Sequence, residues 1–391
     1  MMRELTVLLC ARDAAATIER AIASVLPERG CRLLLADDGC RDDTIERARA
    51  VAGDRLQIAT VPAPGGIPQA RQVALEACET PFAAWLDADD AWIPGRAGRM
   101  LDALRSGADV YTEPIELRDG NSGRVLRRLD VPAFVQRERN PARLFERNHL
   151  PGDTQVGFRV AAFREAGGYD AEVYGAESFD LLLRAIARGA CFAYGGCVGY
   201  QMFAYAGSVS RNLARQRSSL ARALRKHDFE QVRRLCLAAG ESPRVAAWVL
   251  VSMALFRNEP VRALEFVDQA SPACGDPEEV LEPDGPWPFR EGWRRAFARG
   301  TCLALIGGRD DEAEAEAELR RAEVDEPTAE GANNLGVVLA RLGRIDEARK
   351  LWAEAVRRFP GYLDAVKNGE DPRVGRITTH PLRRFASRSD Y

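Results

Sequence analysis

The sequence predicts an α/β domain built on a doubly wound, mostly parallel sheet, followed by an all-α domain of helical repeats. Three observations carry this. Residues Leu5–Ala11, 33–36 and 82–86 are short, nearly continuous apolar runs bounded by charge and glycine, which suits strands buried on both faces of a parallel sheet. Between them, 14–26, Thr44–Ala52 and Ile67–Ala77 carry apolar residues at helical spacing, with Ile18, Ile22 and Val25 in one stripe. Strands alternating with helices imply βαβ units. From about residue 213 onward the pattern is helical throughout. The expected division is 1–212 for the sheet domain, 213–370 for the helical domain and 371–391 for a basic, mobile tail.

Composition sets the bounds. A chain of 391 residues fits two or three domains, and 46% hydrophobic with 29% charged residues excludes disorder, collagen-like structure and a disulfide mini-scaffold. Basic and acidic side chains nearly balance, 55 against 58, so no strong field draws the chain to nucleic acid. The 9 Cys are odd in number and contain no C-x-x-C, which fits buried reduced thiols better than disulfides or zinc. His occurs only at 149, 227 and 380. Charge returns before a signal-peptide h-region can form, and no apolar run approaches the roughly 20 residues of a membrane span. The expectation is a protein without a transmembrane segment.

In an open parallel sheet, ligands lie beyond the carboxyl ends of the strands. The run 33–36 ends in Asp37-Asp38-Gly39, and 82–86 ends in Asp87-Ala88-Asp89-Asp90, so both acidic clusters should share one edge. Residues two apart in an extended segment point the same way. Asp87 and Asp89 can therefore share one Mg²⁺ or Mn²⁺, leaving positions for diphosphate oxygens. The alternative is an acidic loop capping a helix that begins near Trp92. Asp37 and Asp38 can accept from a base imide or ribose hydroxyl, or serve as turn residues before the helix at Thr44. Residues 65–71 form a glycine turn entering a helix, whose amides and Arg71 suit a phosphate or base edge; an ordinary surface Arg is the alternative. Glu177 and Asp180 open a later helix, where a carboxylate can act as a general base or simply complement the helix dipole. Neither a P-loop nor a G-x-G-x-x-G is present.

In the second half, Gly308-Arg309-Asp310-Asp311-Glu312-Ala313 recurs as Gly343-Arg344-Ile345-Asp346-Glu347-Ala348. Around the second copy, Ala332, Leu335, Gly336, Leu339, Ala348, Trp352, Ala355 and Pro360 have the spacing of a tetratricopeptide repeat. The match is closest over 332–360, looser over 293–327, and degenerate in 213–239 and 244–270. The proline-rich stretch 271–289 is expected to interrupt the array as a loop.

Taken in order, the segments of the first half resemble a family 2 glycosyltransferase of the GT-A fold over about residues 5–211. Residues 6–25 look like the family opening, and Asp37-Asp38-Gly39-Cys40 matches its D-D-G-S element. Gly66 with Ala70-Arg71-Gln72 matches the glycine and A-R-N element, and Leu86-Asp87-Ala88-Asp89-Asp90 the L-D-A-D-D metal motif. Phe158-Arg159 through Gly167-Gly168-Tyr169-Asp170 matches the acceptor-side segment, 177–184 the E-D-x-D-L-x-x-R helix, and Gly207-Ser208-Val209-Ser210-Arg211 the closing segment. The resemblance implies transfer of one sugar from a nucleotide-sugar donor, with inversion, and favours UDP. It implies that Ala11, Asp13, Asp37, Asp38, Arg71, Asp87 and Ala88 hold the nucleotide-sugar. Asp89 and Asp87 would ligate Mn²⁺ or Mg²⁺, and Glu177 or Asp180 would supply the base. The sequence departs from the family in three places: Cys10-Ala11-Arg12-Asp13 replaces Pro-x-Tyr-Asn, Ser178 stands where the catalytic Asp usually follows the Glu, and Tyr205 stands near the usual His.

The leading expectation is thus a metal-dependent inverting glycosyltransferase acting on a glycan or protein/peptide acceptor. It would be cytoplasmic, with a peripheral role at the inner membrane compatible with envelope glycan synthesis. The repeats would bind an acceptor peptide, a partner protein or a second copy. The rival is a catalytically degenerate domain that binds nucleotide or acts as a scaffold through its repeats, motivated by Ser178. A nucleotidyltransferase is weaker, because no glycine-rich basic phosphate loop precedes the first helix.

Overall fold

The computed structural model describes residues 4–63, 65–205, 213–270 and 290–381. Gly207–Arg211, the expected loop 271–289 and the end of the tail from 382 lie outside the described residues. The chain forms two compact units, 1–144 with 148–227, and 145–147 with 228–391.

The first unit runs β1 Leu5–Ala11, α1 Ile18–Val25, β2 Cys31–Asp37, α2 Thr44–Ala52, β3 Leu56–Thr60, α3 Ile67–Ala77, β4 Phe82–Trp85, β5 Ala91–Trp92, α4 Arg96–Arg105, β6 Val110–Thr112, β7 Ile115–Asp119, β8 Val125–Leu129, α5 Ala133–Gln136, β9 Gly157–Arg159, α6 Val160–Glu165, α7 Glu177–Ala187, β10 Phe192–Tyr194, β11 Tyr200–Ala204 and α8 Leu213–Arg225. Seven strands form the main sheet in the order β10-β6-β9-β4-β1-β2-β3. Only β9 is antiparallel to its neighbours, β4 and β6. The mostly parallel, doubly wound α/β sheet is therefore present. Leu5, Val7, Leu8 and Leu9 of β1 and Leu33, Leu34 and Leu35 of β2 are buried, as both-face burial of a central strand requires. Ile18, Ile22 and Val25 pack into the same core. A second sheet, ordered β5-β11-β7-β8, gives the domain a small mixed layer that no periodic pattern in the sequence marks.

Two local expectations need correction. The first helix starts at Ile18 rather than 14, because the turn before it carries Asp13 at φ 51. The helix expected near Trp92 starts at Arg96. Ala91–Trp92 pairs with β11 instead, and Gly95 at φ 87 turns the chain into α4.

The second unit is helical: α9 Phe229–Ala238, α10 Pro243–Phe256, α11 Pro260–Gln269, α12 Glu291–Ile306, α13 Arg309–Asp325, α14 Ala329–Arg341, α15 Ile345–Arg358 and α16 Leu363–Glu370. Local chemistry sets the starts. Asp228 accepts from Glu230 N, Ser242 from Val245 N and Thr328 from Gly331 N, each satisfying an orphan donor of the helix it opens. α14 and α15 approach closely because position 336 is a glycine. A Cβ there would lie 2.6 Å from the Trp352 indole nitrogen. That nitrogen donates to Asn333 O at 3.2 Å. Ala348 and Ala355 are fully buried on the facing helix. Residues 371–381, expected to be mobile, are instead held by hydrogen bonds from α14 and α16.

Candidate functional site

Parallel pairing brings three strand ends to one edge. Ala11 is opposite Asp37, and Leu8 is opposite Trp85, immediately before Leu86-Asp87. The acidic clusters therefore share the carboxyl edge of the sheet, as the spacing required.

Arg71 is the hub. It lies on the second turn of α3, which Gly66 opens at φ 80. Its guanidinium is buried, with Nη2 at 3.1 Å from Asp87 Oδ1 and Nη1 at 3.1 Å from Glu177 Oε1. Nη1 also donates to Thr154 Oγ1 at 3.0 Å and to Ser178 Oγ. Burial alone would lower the Arg71 pKa. Glu177 and Asp87 outweigh it and hold the guanidinium firmly charged. The surface-Arg alternative is thereby excluded.

The D-A-D-D loop is fixed from three sides. Asp87 N donates to Tyr200 Oη at 3.1 Å, and Gln155 Nε2 donates to Asp87 Oδ2 at 2.8 Å. Asp90, buried, accepts from Tyr200 Oη at 2.9 Å and Phe203 N at 2.8 Å, so it ties the loop to β11. Arg20 of α1 donates to Asp89 O. Burial, and then neighbouring Asp87, push the Asp89 carboxyl up to about 6. Burial also raises Asp87, against the opposing charge of Arg71. Asp89 forms no ion pair with a described residue. Asp89 without a cation partner, beside Asp87 whose partner Arg71 is shared with Glu177, is a donor set that a hard dication would neutralise. Among the described residues no three His, Cys, Asp or Glu side chains form a ready cage. A cation here would rest on Asp87 and Asp89 plus ligand oxygens.

The other expected residues fall into separate places. Asp37 accepts from Gly39 N at 3.0 Å and Cys40 N at 2.8 Å, the turn chemistry weighed from sequence. Asp38, buried, accepts from Gly65 N at 2.9 Å and Gly66 N at 3.3 Å, and so anchors the turn that launches α3. Asp13 accepts from Arg41 N at 2.8 Å. Ala11 ends β1 and Ala88 separates the two loop carboxylates. Glu177 has both oxygens engaged, the second accepting from Gly175 N at 2.7 Å. Asp180, wholly buried, lies 2.7 Å from both Arg184 Nη2 and Lys226 Nζ. It is bound to Arg184 of α7 and to Lys226, which follows α8, whereas Arg71 pairs with Asp87 and Glu177.

One acid escaped the sequence reading. Asp153 precedes Thr154 and Gln155, which are bonded to Arg71 and Asp87. Burial, then Glu177, push its carboxyl up to about 6, so it belongs to the same charge cluster. It sits in a loop without a motif, and no pattern of spacing would have found it. Tyr169 closes the wall: its ring meets Trp85 edge-on at 5.7 Å, and its N–H donates to Gln72 Oε1 at 2.7 Å.

The mixed α/β sheet, with its acidic loop at the carboxyl edge, is a core of the GT-A type. Residues 6–167 match the model of glycosyl transferase family 2. Succinoglycan biosynthesis protein ExoU of Rhizobium meliloti is 30% identical over 222 residues, covering 53% of this chain and 64% of that protein. ExoO of the same organism is 29% identical over 224 residues, covering 54% and 63%. A pre-mycofactocin glycosyltransferase of Mycobacterium tuberculosis is 27% identical over 199 residues, covering 49% and 41%. The chain thus spans less than two thirds of these relatives' lengths. In fold, it resembles S. aureus TarS 1-349, solved in complex with UDP-GlcNAc, with a TM-score of 0.51 at 15% identity, covering 91% of this chain and 92% of that one. Among the described residues no helix is long and apolar enough to cross a membrane.

Proposed function

We propose that the chain is an inverting glycosyltransferase that moves a sugar from a UDP-linked donor to an acceptor hydroxyl, with Mn²⁺ or Mg²⁺ held by Asp89 and Asp87. The observation that carries this is the buried Arg71 joined to both Asp87 and Glu177 at the carboxyl edge of the sheet. A glycan acceptor is favoured by the names of two relatives, which are succinoglycan biosynthesis proteins. The UDP donor is favoured by the ligand of the structural neighbour. Localisation at the cytoplasmic side of an envelope membrane accords with that acceptor.

The chemistry divides among the chain's own residues. The bound dication would offset the charge of the departing diphosphate. Arg71, fixed by two carboxylates, keeps a positive charge beside Asp87 at no reorganisation cost. Asp38 holds the glycine turn of α3, orienting its first amides. The acceptor oxygen forms its bond to the anomeric carbon on the face opposite the leaving oxygen. The anomeric C–O bond breaks, and UDP leaves with that electron pair. The acceptor proton passes to a carboxylate, and we assign that role to Asp153. Ser178 is no base at neutral pH, Glu177 is engaged at both oxygens, and Asp180 is paired with Arg184 and Lys226. A base held near 6 is ionised at pH 7 yet still basic.

Release of UDP from UDP-sugars, in the presence of an acceptor oligosaccharide and Mn²⁺, tests the reading. Turnover lost in Asp153→Asn with UDP binding retained supports it. The second reading, a degenerate nucleotide-binding scaffold, is motivated by Ser178 and predicts UDP binding without turnover in the wild type.

A further inference from the structure

The helical unit buries three amide side chains, Asn333, Asn334 and Asn368, all at 0% exposure. Buried amides need partners; Asn334 Nδ2 donates to Thr301 Oγ1 at 3.0 Å and Asn333 Nδ2 to Asn334 Oδ1 at 3.1 Å, and further bonds run to the main chain of residues 376–378. Asn334 Nδ2 donates to Thr378 O at 2.8 Å while its Oδ1 accepts from Thr378 N at 2.8 Å. Asn368 does the same one step along: Nδ2 donates to Arg376 O at 2.8 Å, and Oδ1 accepts from Arg376 N at 2.7 Å. Asn333 Nδ2 adds a bond to Arg376 O at 3.0 Å, and its Oδ1 accepts from Asn368 Nδ2 at 2.9 Å. Residues i and i+2 are thus held by two reciprocal amide pairs, as an edge strand would hold a peptide. Such pairing reads backbone and tolerates any sequence.

Side chains supply the selectivity. Thr378 Oγ1 donates to Asp364 Oδ2 at 3.0 Å and meets the Tyr362 hydroxyl. The ring of His380 stacks on Phe256 at 3.7 Å, with Nε2 at 3.2 Å from Ser252 O. Thr378 and His380 are buried, while Ile377 and Thr379 between them are half-buried. The segment joins α16 through a single turn ending at Gly375, φ 57, a natural hinge.

We propose that Asn333, Asn334 and Asn368 line a groove for an extended peptide bearing a hydroxyl residue and, two positions on, an aromatic or imidazole ring, and that residues 376–380 fill this groove in cis. A tethered occupant competes at high effective concentration, so the groove opens to a trans peptide only when the tether is loosened or outcompeted. This inference does not depend on the transfer chemistry.

The test uses the full chain with a specific protease site placed in the turn at 371–375 and cut after folding. The probe is a fluorescent peptide with the sequence of residues 374–381. The cut chain should take up the probe saturably, and the uncut chain should not in the same concentration range. Asn334→Asp, which keeps the acceptor and removes the donor, should weaken uptake at least tenfold, as should alanine at either the Thr378 or the His380 position of the probe. No uptake by a cut chain with intact helical circular dichroism would make the segment a structural cap and overturn the proposal, as would equal uptake of a scrambled probe. In the unmodified protein, the amides of Arg376 and Thr378 should exchange with deuterium at least tenfold faster than core amides of α14. Exchange only at the rate of the helix core would equally contradict a displaceable occupant.

Discussion

The charge left uncompensated at Asp89 has a measurable consequence for stability. Burial, and then Asp87, raise this carboxyl from 3.8 to about 6. The folded chain therefore holds a proton that the unfolded chain releases, and stability falls as pH rises from about 4 to about 6. At 1.36 kcal/mol per pKa unit the full penalty above pH 6 is at most about 3 kcal/mol, and water at a half-buried group reduces it to about 1–2 kcal/mol. Asp89→Asn removes the charge and nothing else. The metal-free variant should unfold in urea at a higher midpoint than wild type at pH 8, by about 1–2 kcal/mol. The gain should shrink as pH drops through 6 and vanish below about 4, where the wild-type carboxyl is protonated in both states. A site that sacrifices stability for function behaves this way. Equal midpoints at pH 8, or a gain of the same size at pH 8 and pH 4, would show that the Asp89 charge does not destabilise the fold.

Other outcomes follow from the same geometry. Arg71→Met leaves the buried Glu177 and the half-buried Asp87 without their cation and should cost about 3 kcal/mol in urea unfolding; Arg71→Lys should not restore it, because two separate guanidinium nitrogens serve the two acids. Asp153→Asn should lower kcat by about 10²–10⁴ while leaving UDP affinity within about twofold, and should abolish the acidic limb near pH 6 of the kcat profile. Gly336→Ala must displace the Trp352 indole, so thermal unfolding of the helical unit should shift down by the equivalent of about 1–3 kcal/mol.

The main sheet was legible where patterns were strong. β1, α2 and α3 have the bounds that periodicity gave them, because each is a run of one pattern closed by glycine, charge or turn residues. β3 escaped notice because Leu56–Thr60 is short and none of its five residues is fully buried, so it lacks a buried run. The second sheet escaped because β5 has only two residues and pairs with β11; the Trp92–Tyr200 opposition spans 108 positions, outside any local window. At the site, Arg71 and Asp87 were legible because a glycine turn and a strand end fix their positions. Asp153 and Gln155 were not, since tertiary contacts alone bring their loop to Arg71. The docking of 376–380 was likewise invisible: its affinity comes from main-chain groups, which every sequence has.

The most direct test of the central claim is a thermal-shift panel of UDP, GDP, CDP, dTDP and ADP, each with and without Mn²⁺, on wild type and Asp89→Asn. A ligand at a hundredfold its dissociation constant adds about 2.7 kcal/mol. UDP should raise the wild-type midpoint in a Mn²⁺-dependent way, and the rise should disappear in Asp89→Asn. A rise of the same size in the variant, or none with any nucleotide, would contradict the assignment of this acidic edge as the nucleotide-sugar site.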